Sequence, residues 1–158
     1  MKYVFVGPGY MTIPPQGWGA CEILIDDYRK TLKEQGHDVH IVNTPIPQHI
    51  VSITNALDPD IVHIQYDDYA FLADHFTCKN VVLTSHFAYL EQPSRWHKEY
   101  IDIFWATVNS KKLKIFCLSE GIMDIYHRGG IPKEKLFLNP NGVRTDLFKF
   151  NEICERPN

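Results

Sequence analysis

The sequence predicts an α/β protein with a doubly wound parallel sheet, a Rossmann-like fold of three α/β/α layers. Two observations lead to this prediction. Short apolar runs alternate with helical segments along the whole chain, and each run is apolar at consecutive positions rather than at every second one. Strands that carry helices on both faces of a sheet show this continuous pattern, because both of their faces are buried.

Six strands are predicted where β-branched and aromatic residues cluster between glycine, proline or polar residues. The first run, for example, ends at Gly7-Pro8-Gly9, which cannot continue a strand. The predicted strands are residues 2–6, 39–42, 61–65, 81–84, 114–118 and 136–138.

The segments between the strands have helical periodicity. In the first of them Ala20, Leu24, Tyr28 and Leu32 recur at helical spacing, and Gly36 is a typical stop. The other segments follow the same reading. The predicted helices are residues 18–35, a weaker helix at 48–57, a short turn at 69–76, a helix along 96–107, and one that Ser119 caps and Gly129-Gly130 ends.

Length and composition indicate one ordinary globular domain. The chain has 158 residues, and its net charge of -3 comes from interspersed acidic and basic residues, which argues against a broad nucleic-acid or membrane surface. No apolar run is long enough to span a membrane. The four cysteines show no C-x-x-C spacing and are expected to be reduced thiols of a cytoplasmic protein.

Polar and glycine residues follow the strands at their carboxyl ends. In open parallel sheets these ends form one rim, where ligands bind. Five such features on one rim are more than a bare fold needs. They are the loop at residues 17–19, Gln65-Tyr66-Asp67, Ser85-His86, Ser119-Glu120 and Asn141-Gly142.

The loop Gly17-Trp18-Gly19, called the glycine loop below, precedes the first predicted helix. The first N–H groups of a helix have no internal partners and carry the positive end of the dipole, so this position suits a phosphate. Glycine at both positions lets the backbone approach a ligand closely. A tight turn that binds no ligand is the alternative.

A dinucleotide-binding domain is not indicated. The spacing G-x-G-x-x-G fails, because Glu22 stands where the third glycine belongs. The second strand ends in Val42-Asn43-Thr44 and lacks the acidic residue that holds a ribose.

Five segments, in order and at suitable spacing, resemble the family 4 glycosyltransferases of GT-B fold. IPPQGWGACE at 13–22 with GHDV at 36–39 resembles the opening of that family, and DPDIVH at 58–63 its third strand. VLTSH at 82–86 resembles its fourth-strand T-x-H, and CLSE at 117–120 its x-S-E before a helix. KLFLNPNGVRTDLF at 135–148 is similar to its N-G segment.

The resemblance implies the amino-terminal, acceptor-side domain of a two-domain enzyme. Residues 1–148 would form this domain, and residues 149–158 the start of a linker or tail, with the donor-binding C-terminal domain missing. The implied reaction moves a sugar from a nucleotide-diphosphate sugar to a saccharide or lipid-linked acceptor, with retention of configuration. The resemblance implies no metal and no cofactor besides the donor substrate.

The resemblance also assigns roles to residues. Gly17, Trp18 and Gly19 match the loop at the donor diphosphate, although Trp18 separates glycines that are adjacent in most relatives. His86 matches the catalytic-site histidine near the transferred sugar; the alternative is a histidine satisfied by loop backbone. His63, inside a strand, is expected to be a packed core residue. The expected acceptor or cleft residues are Gln65, Tyr66, Ser119, Glu120, Asn141 and Gly142, of which Ser119 and Glu120 also fit a simple helix start and Asn141-Gly142 a simple turn.

Other hypotheses remain beside the enzyme half. One is a stand-alone sugar- or phosphate-binding module without catalysis, and another is an α/β domain with an interaction role. The protein is expected in the cytoplasm or peripherally at a membrane surface, without a nucleic-acid partner. An open cleft face would expose Trp18, Tyr66 and Phe87 and promote self-association.

Overall fold

The computed structural model describes residues 1–145 and 147–148. Their strands form one parallel sheet in the order β2-β1-β3-β4-β5-β6, which confirms the predicted doubly wound α/β fold. The order reverses beside β1, since β2 lies on one side of it and β3 on the other. The strands are β1 Lys2–Val6, β2 Asp38–Val42, β3 Ile61–Ile64, β4 Val81–Thr84, β5 Leu113–Cys117 and β6 Leu136–Leu138.

Helices connect the strands where periodicity predicts them. They are α1 Ala20–Glu34, α2 Pro47–Leu57, α3 Lys98–Asn109 and α4 Glu120–Arg128. Three 3₁₀ segments accompany them, at Asp67–His75, Pro93–Arg95 and Lys133–Lys135. The longest starts two residues before the turn that was predicted at residues 69–76 and ends one residue earlier than that turn.

Two predicted helices begin later than the sequence suggests. Helix α1 starts at Ala20 rather than at Trp18, because Gly17 and Gly19 have φ angles of 99° and 141°, which helical backbone cannot accommodate. Helix α3 starts at Lys98, after Trp96, because the side chain of His97 accepts a hydrogen bond from the Tyr100 N–H and caps the helix.

The strand residues alternate between two hydrophobic clusters, one on each face of the sheet. In β1, Val4 and Val6 pack with Ile50 of α2 and with residues of α3 and α4, whereas Phe5 packs with Ile25 of α1 on the opposite face. Helix α1 therefore covers one face and α2, α3 and α4 cover the other. This arrangement explains why the strands are apolar at consecutive positions.

The thiols of Cys21, Cys78 and Cys117 are free, as predicted. Burial raises the pKa of the Cys117 thiol to about 12 and that of Cys21 to about 11, so both are protonated at neutral pH. Cys154 lies outside the described residues. No helix in the described part of the chain combines the length and the apolar composition that crossing a membrane requires.

Helix α2 offers a test of the packing. Ile50 is fully buried against the sheet, whereas Ile53 on the same helix is 46% exposed. We expect Ile50→Ala to lower the free energy of unfolding by about 2–5 kcal/mol, because it removes buried methylenes and leaves a cavity. Ile53→Ala, the matched control, should change it by less than about 1 kcal/mol. Urea unfolding of both variants makes the comparison, and equal losses would contradict the arrangement of α2.

Candidate functional site

The carboxyl ends of the strands enclose a cavity of about 440 Å³. The first turn of α1 contributes Cys21, and His86 enters from the loop after β4. The glycine loop that precedes α1 and His86 therefore lie at the same end of the sheet, as the sequence predicts. The remaining lining residues are Tyr66, Asp67, Asp68, Phe87, Ala88, His97, Tyr100 and Ile103.

His86 is half-buried, and one of its ring nitrogens is already occupied. Its Nε2 lies 2.8 Å from Oε1 of Gln65, a carbonyl oxygen that only accepts, so Nε2 carries the proton and donates. Burial lowers the pKa of His86, and the ring is therefore neutral at neutral pH. For Nδ1 the described residues provide no hydrogen-bond partner, which leaves this nitrogen for a ligand.

Asp67 was predicted to lie on the rim, but the sequence assigned it no specific role there. Its side chain lies against His86, whose backbone N–H donates to Oδ2 at 3.2 Å, and the hydroxyl of Tyr100 donates to Oδ1 at 3.4 Å. Burial raises the pKa of Asp67 to about 6, although hydrogen bonds from Ser85 and from the His86 backbone oppose the rise. The available signal was the pair Asp67-Asp68, two residues beyond the buried strand Ile61–Ile64 and its successor Gln65.

Aromatic rings form one wall of the cavity. Phe87 stacks on Tyr100 with ring centroids 3.6 Å apart, and Tyr66 packs edge-on against Tyr69 at 5.4 Å. Flat apolar surfaces beside polar groups suit a ligand with both apolar faces and hydroxyls.

The exposure of these aromatics corrects one expectation. Trp18 is 81% exposed, as predicted. Tyr66 and Phe87 are half-buried instead, because their rings pack against Tyr69 and Tyr100. The open aromatic surface is therefore smaller than the sequence suggested.

The glycine loop has different requirements at its two glycines. A Cβ at Gly17 would meet no atom within 4 Å, whereas a Cβ at Gly19 would lie 3.0 Å from Glu22 Oε2 and 3.1 Å from Pro15 Cβ. Gly19 also has no side chain to cap α1, so the first N–H groups of the helix remain available. The carboxyl group of Glu22 is buried in the same first turn, where the helix dipole favours it.

Asn43, at the end of β2, holds the segment that leads to the glycine loop. Its Oδ1 accepts from the Gly9 N–H at 2.8 Å, and its Nδ2 donates to the Met11 carbonyl oxygen at 2.7 Å. A dinucleotide-binding domain uses this position to bind a ribose. Here both polar atoms of the amide bind the chain itself.

The other predicted cleft residues lie at several places on the rim. Ser119 caps α4 by accepting from the Ile122 N–H at 3.1 Å, and Glu120 is exposed in the first turn of that helix. Asn141 is exposed, and Gly142 lines a separate groove against α1. None of these four residues lines the cavity that contains Tyr66 and His86.

Gln65 and His63 occupy the sheet itself. Gln65 is fully buried behind His86 rather than exposed to the cleft. His63 is a packed core residue, as predicted, between Phe5 and Phe116. Burial lowers its pKa to about 3, so its ring is neutral.

Within residues 1–145 and 147–148, no group of three or more His, Cys, Asp or Glu side chains is arranged to hold a metal ion.

The model of one protein family, Glycosyltransferase Family 4, matches residues 45–147. No curated protein and no solved structure matches the chain significantly.

The raised pKa of Asp67 predicts a pH-dependent stability. The pKa in the folded protein, about 6, lies above the ordinary value of 3.8, so the stabilising contribution is complete below about pH 4 and is lost as the pH rises through 6. Between these pH limits the free energy of unfolding of the wild type should fall by at most about 3 kcal/mol relative to that of Asp67→Asn, in which residue 67 does not titrate. Urea unfolding of both proteins at pH 4 and pH 7.5 measures the difference, and a constant difference would contradict the raised pKa.

Proposed function

The chain belongs to glycosyltransferase family 4, and we propose that it forms the acceptor-side domain of a retaining transferase. The family match covers residues 45–147, more than half of the chain, and contains His86, Asp67 and both strands that carry them. The observation that carries the proposal is the cavity in which the family-matched segment meets the first turn of α1.

The proposed reaction transfers a sugar from a nucleotide-diphosphate donor to a hydroxyl of a saccharide or lipid-linked acceptor. The bond between the anomeric carbon and the diphosphate oxygen breaks, a bond to the acceptor oxygen forms on the same face, and the proton of the acceptor hydroxyl passes to the departing diphosphate. Such a transition state needs donors for the negative charge that develops on the leaving diphosphate.

His86 is proposed to position the transferred sugar. Its ring is neutral, lines the cavity and keeps Nδ1 without a partner among the described residues. With the proton on Nε2, Nδ1 is an acceptor and suits a sugar hydroxyl better than a phosphate oxygen.

The glycine loop is proposed to approach the donor diphosphate through the free N–H groups of α1. The loop precedes residue 45, so this role rests on the sequence resemblance and on the uncapped start of α1 rather than on the family match. Glu22 opposes phosphate binding by the glycine loop. Its buried carboxyl group lies beside Gly19 and would repel a phosphate that bound on that side.

Catalysis is proposed to need a second, donor-binding domain. The positioning of donor against acceptor requires groups on both sides of a closed cleft, and the described residues supply one side. We therefore expect residues 1–158 alone to show no transferase turnover and weak affinity for nucleotide-sugars. Tight binding of a sugar phosphate by this chain, with no transfer when a donor domain is present, would favour the binding-module alternative.

His86→Ala tests the proposed site. In the two-domain enzyme it should lower kcat roughly tenfold or more, because a positioned hydrogen-bonding group at the transferred sugar is lost. His37→Ala is the matched control, since His37 lies before β2 at the opposite end of the sheet. Steady-state transfer assays of both variants decide the point, and a normal kcat for His86→Ala would make His86 a structural residue.

Gly19→Val tests the glycine loop. Valine is strained at a φ of 141° and would crowd Pro15 and Glu22, so we expect the KM for the donor to rise. Gly36→Val is the matched control, because Gly36 also has a positive φ, 82°, but stands in open space beyond the far end of α1. Gly36→Val should lose stability through backbone strain alone, whereas Gly19→Val is strained and crowded. An equal effect of the two variants on donor KM would exclude a specific role for the loop.

A further inference from the structure

Gln65 is a fully buried amide that lies between two imidazoles. It directly follows β3, with a side chain that is 0% exposed, and it reaches His63 on one side and His86 on the other. A buried amide without partners costs free energy, so a position that only packs would favour leucine or methionine. The hydrogen bonds of Gln65 therefore indicate what the residue does.

The donors and acceptors in this cluster determine one another. Oε1 of Gln65 accepts, so His86 Nε2, at 2.8 Å, must donate. Nε2 of Gln65 donates, so His63 Nε2, at 3.0 Å, must accept, and it also lies 2.8 Å from the hydroxyl of Thr84. A neutral His63 is required for this arrangement, and burial keeps it neutral.

With the amide reversed, the same contacts would require the opposite tautomers. The amide nitrogen would then face His86 Nε2 as a donor, the His86 proton would have to move to Nδ1, and the ring would present a donor to the cavity. The orientation of one buried amide thus decides whether His86 offers a ligand an acceptor or a donor.

We propose that Gln65 is the positioning residue of His86: it holds the imidazole in the Nε2–H form, so that Nδ1 faces a ligand hydroxyl as an acceptor. The identity of that hydroxyl, on the transferred sugar, rests on the proposed function. The hydrogen bond from His86 Nε2–H to Gln65 Oε1, called the tether below, does not rest on the proposed function, since it is formed within this chain alone.

Three variants of the 158-residue chain separate the tether from ordinary packing. Gln65→Leu keeps the volume but removes the acceptor for His86. Gln65→Glu keeps an acceptor for His86 and adds a charge. It still tests the hydrogen bond to His86 if Gln65→Leu does not fold. Thr84→Val, the matched control, breaks the neighbouring bond to His63 and leaves the bond between Gln65 and His86 intact.

The readout is the imidazole ¹⁵N and ring N–H signals of His86 in long-range ¹H–¹⁵N NMR spectra, assigned with His86→Gln. In the wild type we expect a protonated Nε2, a bare Nδ1, and an Nε2–H that exchanges with water slowly. Gln65→Leu should speed this exchange roughly tenfold, because a hydrogen bond is lost. Thr84→Val should leave the exchange unchanged.

Gln65→Glu gives a second, opposite signature. A carboxylate still accepts from Nε2–H and favours the imidazolium, so the pKa of His86 should rise above its wild-type value, whereas Gln65→Leu should not raise it. The other titratable groups around the ring are the same in both variants. They are Cys21, His63, Tyr66, Asp67, Asp68, His97 and Tyr100.

Several results would overturn the proposal. They are a wild-type His86 protonated on Nδ1, an Nε2–H exchange rate that Gln65→Leu leaves unchanged, and an equal change in Thr84→Val. A confirmed tether together with normal transfer by His86→Ala would instead contradict the proposed role of His86 and leave the positioning by Gln65 standing.

Discussion

The site depends on one constraint: polar groups buried at the carboxyl ends of β3 and β4 must find partners inside the protein. Gln65, Asp67 and Ser85 are all buried there, and water reaches little of them. Each unpaired group would cost about 1–3 kcal/mol. Gln65 therefore binds His86, and Asp67 accepts from the backbone of the same residue. These two contacts hold His86 at both its ring and its main chain, so its position follows from the burial of its neighbours.

The sequence was sufficient to predict the fold and to predict which end of the sheet carries the candidate site. Continuous apolar runs such as Val81–Thr84 and the periodicity of α1 depend on local composition, which a single sequence contains. The shared rim at the carboxyl ends then follows from the rules for parallel sheets. Helix boundaries were less accurate where backbone geometry intervened, as at Gly19, whose positive φ delays α1.

The details of the site could not be predicted in this way, because they depend on contacts between distant residues. Gln65 was predicted to face the cleft, but it lies behind His86, which is 21 positions further along the chain. Asp67 was placed on the rim without a role, since its burial and its contacts with His86 and Tyr100 depend on other elements of the chain. Asn43 was noticed only for the acid that it replaces, whereas its amide supports the segment before the glycine loop.

The two sides of the cavity differ in charge and therefore suit different parts of a ligand. Above pH 6, Asp67 is mostly ionised while His86 is neutral, so these two residues give their side of the cavity a negative charge. A diphosphate is repelled by such a surface, whereas sugar hydroxyls can donate to the carboxylate and to Nδ1 of His86. The uncapped start of α1 offers N–H groups to an anion at the same rim. A ligand with one anionic part and one hydroxyl-rich part would therefore orient with its hydroxyls towards Asp67 and His86 and its anion away from them.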